Sequence, residues 1–240
     1  MSMLAELIGI YGLVALTHLF VQISLAHAEY LKPRRFSPAF APRVSIIIPT
    51  YNEDIPSLLK CVDACAHQAY AGKYSVLVVN DGSKRREGFD VVQNRFASFP
   101  HVECVDMTQN RGKRHAQKSG FDLIQHNAEL IVTIDSDTIL MPDALTYLVQ
   151  EFQDPKVGAV TGDVKVIKTK KFLSQLIAGR YWTAFNQERA AQSLFGTVLC
   201  CSGPLAAYRN SIIQNVKHAY TTQKFLGEYC TYGDDRHLTN

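Results

Sequence analysis

Two carboxylates one residue apart, Asp135 and Asp137, close an apolar run that begins at Leu130. Side chains of an extended strand alternate faces, so an Asp-x-Asp pair in continuing strand geometry points both acids the same way. At the carboxyl end of a strand in an α/β sheet, that direction opens into the crevice where ligands bind. Two hard oxygen donors there suit Mg2+ or Mn2+, and such an ion in turn holds a substrate diphosphate. Asp-Ser-Asp-Thr is equally ordinary punctuation between a strand and a helix, with Asp or Ser as N-cap. The pair alone leaves both readings open.

Two more polar clusters end strand-like runs. Val44-Ser45-Ile46-Ile47-Ile48-Pro49 leads into Thr50-Tyr51-Asn52-Glu53, and Tyr74 to Val79 leads into Asn80-Asp81-Gly82-Ser83. Each cluster singly is loop chemistry. Three along one sheet edge form a ligand-binding rim. Lys113 and Arg114 add an electrostatic sign, because cations in the first turn of a helix are misplaced by a few tenths of a kcal/mol each against the macrodipole. A bound anion would offset that, and phosphate at a basic helix amino end is a familiar combination.

The elements that must carry these residues alternate. A helix over 55–69, with Leu58, Leu59, Val62 and Cys65 at helical spacing, follows the first strand; a weak strand near 102–105 precedes a helix from 113 to about 126. The Asp-x-Asp strand precedes a helix over 142–152, with Pro142 in its first turn. Such β-α alternation specifies a mostly parallel sheet with helices on both faces. Further on, 157–161 and 164–168 read as strands and 168–171 as a basic turn. A long helix over 172–192 carries the stripe Leu173, Ile177, Tyr181, Phe185, which is expected to pack on the core. Residues 199–208 read as a buried strand broken by a turn.

A chain of 240 residues with 47% hydrophobic and 20% charged residues and net charge +3 builds one substantial core. That charge balance implies no nucleic-acid partner. From Leu7 to Ala26 there is no Asp, Glu, Lys or Arg, about the length that spans a bilayer, and Lys32, Arg34 and Arg35 follow it. The positive-inside rule then places the remainder in the cytoplasm. Ala26-His27-Ala28 resembles a signal-peptide cleavage site, but the positive n-region is missing, so a membrane anchor is the preferred reading. The expected organisation is an anchor over 1–30, a basic linker over 31–42 and a catalytic domain over 43–240. Six cysteines without metal spacing or a disulfide framework read as reduced, mostly structural thiols.

Taken in order, Pro49 to Glu53, Asn80 to Ser83, Gly112-Lys113-Arg114-His115-Ala116-Gln117, Asp135-Ser136-Asp137, Glu188 to Ser193, Ser202-Gly203-Pro204 and Gly233-Asp234-Asp235-Arg236 resemble the processive family 2 glycosyltransferases. The group they look most like is that of the hyaluronan synthases and nodulation chitooligosaccharide synthases. The resemblance implies a GT-A fold (Rossmann-like, with a mostly parallel mixed sheet) behind one transmembrane helix. It implies a membrane enzyme of inverting chemistry that passes sugars from UDP-sugar donors to a growing glycan acceptor, with Mg2+ or Mn2+ as cofactor and membrane lipid around it. By matching position, Thr50, Tyr51, Glu53 and Asp81 would hold the uridine. Lys113 and Asp135 would meet the nucleotide and its diphosphate, and Asp137, with Asp135, the metal. Ser202, Gly203 and Pro204 would shape the acceptor site, and Asp235 would be the general base, with Asp234 as its obvious substitute or as a helix N-cap.

Two departures stand out. Asn80 occupies a position where the family usually has an acid, and the family's Q-x-x-R-W segment and later membrane helices do not occur in the 240 residues, so the resemblance implies a carboxyl-terminally truncated synthase. The motifs lean to a hyaluronan synthase using UDP-GlcNAc and UDP-GlcA. The alternatives are a chitooligosaccharide synthase using UDP-GlcNAc alone and a nucleotide-sugar-binding fragment without catalysis. A nucleotidyltransferase would want a glycine-rich loop after the first strand, and Pro49 to Glu53 contains no glycine.

Overall fold

A computed structural model describes residues 3–34, 36–124, 126–167 and 170–240. The chain divides into two compact units, one of Met1–Arg34 with Asp163–Leu199, the other of Arg35–Gly162 with Cys200–Asn240. The span expected as one catalytic domain thus contains a stretch that groups with the apolar amino-terminal helix.

The larger unit is built on a six-stranded sheet. Strands β1 (Val44–Thr50), β2 (Tyr74–Asn80), β3 (Val102–Asp106) and β4 (Leu130–Thr133) run parallel. β5 (Ala159–Thr161) and β6 (Ala206–Arg209) complete the order β3-β2-β1-β4-β6-β5, with β6 antiparallel to both its neighbours. Every residue of β1 and β4 is buried, as central parallel strands covered on both faces require. Alternation produced this order: each parallel strand reaches the next through a helix, α2 (Ile55–Ala66), α3 (Glu87–Phe96) and α4 (Lys113–Ile124). The carboxylate of Asp54 accepts the Ser57 amide at 3.1 Å and starts α2, whose Leu58, Cys61, Val62, Cys65 and Ala66 are buried at spacings of one face. In α3, to which the sequence reading assigned no residues, Phe89, Val92 and Phe96 carry the same signal.

Several boundaries differ from expectation. α5 begins at Ala144, two residues after Pro142, and a 3-10 turn follows it over Glu151–Gln153. Residues 164–167 carry no strand, and Lys168, with Thr169 of the basic turn, lies outside the described residues. The strand expected over 199–208 is confined to β6, since the backbone turns at 202–205, where the Leu205 amide bonds the Ser202 carbonyl. Helix α8 (Asn210–Thr222), a two-stranded hairpin β7 (Lys224–Phe225) and β8 (Glu228–Tyr229), and α9 (Asp234–Thr239) complete the unit. Among the described residues the six cysteines form no disulfide.

In the smaller unit α1 (Met3–Tyr30) contains, over Glu6–Tyr30, a segment long and apolar enough to cross a bilayer. The expected long helix is present as α6 (Phe172–Thr183), a π-helical segment Ala184–Arg189 and α7 (Ala190–Ser193). Its stripe does not form a core face: Phe185 is buried, whereas Leu173 and Ile177 are exposed and no residue of α6 is buried. The reason is that Phe172, Leu176 and Trp182 extend the apolar surface around α6, so spacing of four marks no single side, and α1 packs mainly against the π-helical segment and α7.

Candidate active site

β2, β1 and β4 are parallel neighbours, so their carboxyl ends emerge side by side. The three polar clusters therefore meet on one edge. Hydrogen bonds lace them together: Asn80, fully buried, donates to Asp106 Oδ1 at 2.7 Å and accepts from the Ser83 hydroxyl at 2.5 Å, and Ser83 Oγ accepts the Asn52 amide at 2.8 Å. This accounts for the amide at position 80. A carboxylate there would face the Asp106 carboxylate with no proton to offer, whereas Arg86, 2.6 Å from Asp106 Oδ2, already serves its other oxygen.

Asp81 is buried and accepts three bonds, from Asn110 Nδ2 (3.0 Å) and the amides of Arg111 (2.9 Å) and Gly112 (2.8 Å). It fixes the loop that delivers Lys113 to the start of α4. Gly82 is required for this approach: its φ is +61°, and a Cβ would lie 2.5 Å from the Asn110 nitrogen.

Lys113 is the hinge of the site. Its ammonium lies 2.7 Å from Asp135 Oδ1 and 3.0 Å from Asp234 Oδ2. Burial pulls its pKa down, but the two carboxylates outweigh burial and hold it above the ordinary lysine value. Its awkward place at a helix amino end is thereby offset by protein carboxylates. Arg114 is turned away from any anion at that end; it is buried and donates to the carbonyls of Tyr220 (2.9 Å) and Tyr232 (2.7 Å) and to Gln223 Oε1 (2.9 Å).

The Asp-x-Asp pair reaches one place by a route the strand pattern did not give. β4 ends at Thr133, and a turn closed by the Thr138 amide on the Asp135 carbonyl (2.9 Å) replaces extended geometry. Both acids nevertheless line one cleft of about 310 Å³, with Thr50, Tyr51, Glu53, Asp81 and Lys113, and with Pro49, Ala116 and Ser136 between them. Glu53 is raised above the ordinary carboxylate value by burial, helped by the like charge of Asp137, and its Oε2 is buried without a hydrogen-bond partner. Among the described residues no group of three or more His, Cys, Asp or Glu side chains could by itself hold a metal. The donor set is thus a pair of hard oxygen ligands, which fits an ion that takes its remaining ligands from phosphates and water.

Asp235 lies beyond Lys113, in the first turn of α9. Its Oδ2 accepts the Gly203 amide at 2.8 Å. Gly203 permits this contact, since a Cβ there would stand 2.8 Å from Asp235 Oδ1. Burial, with the adjacent Asp234, pushes the Asp235 carboxyl up to about 6. Asp234 shifts the other way: burial raises it, but the Lys113 ammonium holds it below the usual carboxylate range. Neighbouring acids pushed apart in this manner are equipped for different roles. The N-cap role for the pair is not realised. Gly233, at φ 72°, is the cap residue, and Asp234 is ion-paired. Of Ser202, Gly203 and Pro204, the structure joins Gly203 directly to Asp235.

Sequence reasoning missed Asp106, Asn110, Thr161 and Thr239, which hold these loops. The signal that existed was weak, a lone polar residue at a strand or helix end.

The description "Glycosyl transferase family 2" matches residues 45–217. An N-acetylglucosaminyltransferase of Azorhizobium caulinodans is 41% identical over 82% of this chain and 50% of its own length. One of Sinorhizobium fredii is 37% identical over 98% of this chain and 59% of its own. The chain spans about half the length of the curated relatives it matches. Among solved structures, the mannosyltransferase PcManGT from Pyrobaculum calidifontis, in complex with GDP-Man and Mn2+, superposes with a TM-score of 0.57 at 25% identity, covering 93% of this chain and 66% of that one. The neighbour accords with the GT-A fold, and the matched span of residues 45–217 shows that this chain belongs to glycosyl transferase family 2.

Proposed function

We propose that the chain carries the donor site and general base of an inverting β-glycosyltransferase that passes N-acetylglucosamine from UDP-GlcNAc to a glycan acceptor. The observation that carries this is Lys113, which joins the strand-end cleft to the acid pair beside Gly203. Likeness to the rhizobial N-acetylglucosaminyltransferases favours the chitooligosaccharide reading over the hyaluronan one, which would also need UDP-GlcA.

Thr50, Tyr51, Glu53 and Asp81 hold the uridine side of the cleft. Asp137 and Asp135 would hold Mg2+ or Mn2+, in keeping with the Mn2+ of the mannosyltransferase neighbour, and the ion would neutralise diphosphate charge. Lys113 offers its ammonium to the same phosphates. Asp235 takes the proton of the acceptor hydroxyl as that oxygen bonds to the anomeric carbon, while the bond from that carbon to UDP breaks and UDP leaves with the electron pair. Ser202, Gly203 and Pro204 shape the acceptor side. α1 anchors the chain in the cell membrane with the catalytic unit cytoplasmic, and lipid surrounds the anchor.

The test supplies UDP-GlcNAc with Mn2+ and a chitooligosaccharide acceptor to the purified chain. Elongation without UDP-GlcA is expected. UDP binding with neither transfer nor donor hydrolysis would instead support a non-catalytic sugar-nucleotide-binding fragment.

A further inference from the structure

Thr239 sits one turn beyond Asp235 in α9, and its hydroxyl does two things. It donates to the Asp235 carbonyl at 2.6 Å, the ordinary i−4 bond of a helical threonine, and it accepts the Cys201 amide at 2.8 Å. The second bond is not local. It pins the turn at 200–205, which holds Gly203, onto the helix that carries Asp235. Thr161 at the end of β5 grips the same turn from the sheet side: its hydroxyl accepts the Ser202 amide (3.1 Å) and donates to the Leu205 carbonyl (3.2 Å). The turn is therefore held between two threonine hydroxyls, and its Gly203 amide emerges 2.8 Å from Asp235 Oδ2.

We propose that Thr239 is a positioning residue for transfer: its hydroxyl sets the distance between the Gly203 amide and the Asp235 carboxylate and so orients the base toward the acceptor. This rests on the reading of Asp235 as the base. The other groups bearing on Asp235 are Asp234, Lys113 and the phenols of Tyr208 and Tyr220, none of which touches the Thr239 hydroxyl in a hydrogen bond. Replacing that hydroxyl with a methyl leaves them in place and removes the bond from the Cys201 amide.

The test is the Asp235 carboxyl titration, followed by carbon NMR on the full chain in detergent micelles and assigned by the signal lost in Asp235→Asn. An amide bond favours the ionised carboxylate, so Thr239→Val moves the midpoint to higher pH, and Thr239→Ser, which keeps both bonds, leaves it at the wild-type value. In the transfer assay Thr239→Val lowers kcat about 10- to 100-fold with donor KM unchanged, the scale of a misplaced reacting group, and Thr239→Ser restores it. Gly203→Ala, which pushes on the carboxylate from the other side, moves the midpoint the same way and serves if Thr239→Val does not fold. An unmoved midpoint in a folded Thr239→Val or Gly203→Ala protein overturns the proposal, as does a serine variant that behaves like valine. If the midpoint moves but Asp235→Asn keeps full turnover, the base assignment fails and the coupling stands.

Discussion

The Asp235 carboxyl, pushed to about 6 by burial and by Asp234, is the group whose charge state should govern turnover. As the proposed base it must be ionised to accept a proton, so kcat is expected to rise with pH through about 6 and level off above. Asp235→Asn should lower kcat by about 10²- to 10⁴-fold and leave UDP binding intact, measured by initial rates beside calorimetry. The same shift carries a stability cost whose sign is fixed. An acid with a folded pKa of about 6 and an ordinary value of 3.8 loses stability as pH rises between them, and the full cost persists at neutral pH. Asp235→Asn should therefore melt at higher temperature than wild type at pH 7, with the gain gone below about pH 4. None of this was legible in the letters Asp-Asp. Which acid is low and which high follows from Lys113, 121 positions upstream of Asp234, a contact no local pattern encodes.

Elements explain why the polar clusters are where they are. Strand ends were readable because β-branched runs stop at Pro49, Asn80 and Asp135, and parallel neighbours must release their carboxyl ends on one side. The loop before α4 was not, because it is held by Asp81 through tertiary bonds. Gly82→Ala should test that link: a side chain at φ +61° against the Asn110 backbone is expected to cost about 1–3 kcal/mol in denaturant unfolding, and UDP binding should weaken as Lys113 shifts. Unchanged stability would mean the loop accommodates the methyl. α6 gave the opposite lesson. Spacing of four identified a helix correctly but not a buried face, since exposed apolar residues lie on several sides of it.

For the whole molecule, α1 is expected to keep the chain in the membrane pellet through an alkaline carbonate wash; release into the supernatant would contradict the anchor. The cleft derives from the run of parallel strands β1 to β4, and the central claim is that it binds a nucleoside diphosphate through the Asp-x-Asp pair. Calorimetry of UDP binding to the purified chain, with and without Mn2+, alongside Asp137→Ala, tests it most directly. The account predicts binding that depends on Mn2+ and is lost in Asp137→Ala. Binding that is indifferent to both, or no binding to the folded wild-type chain, would contradict it and return the strand-end carboxylates to the role of turn formers.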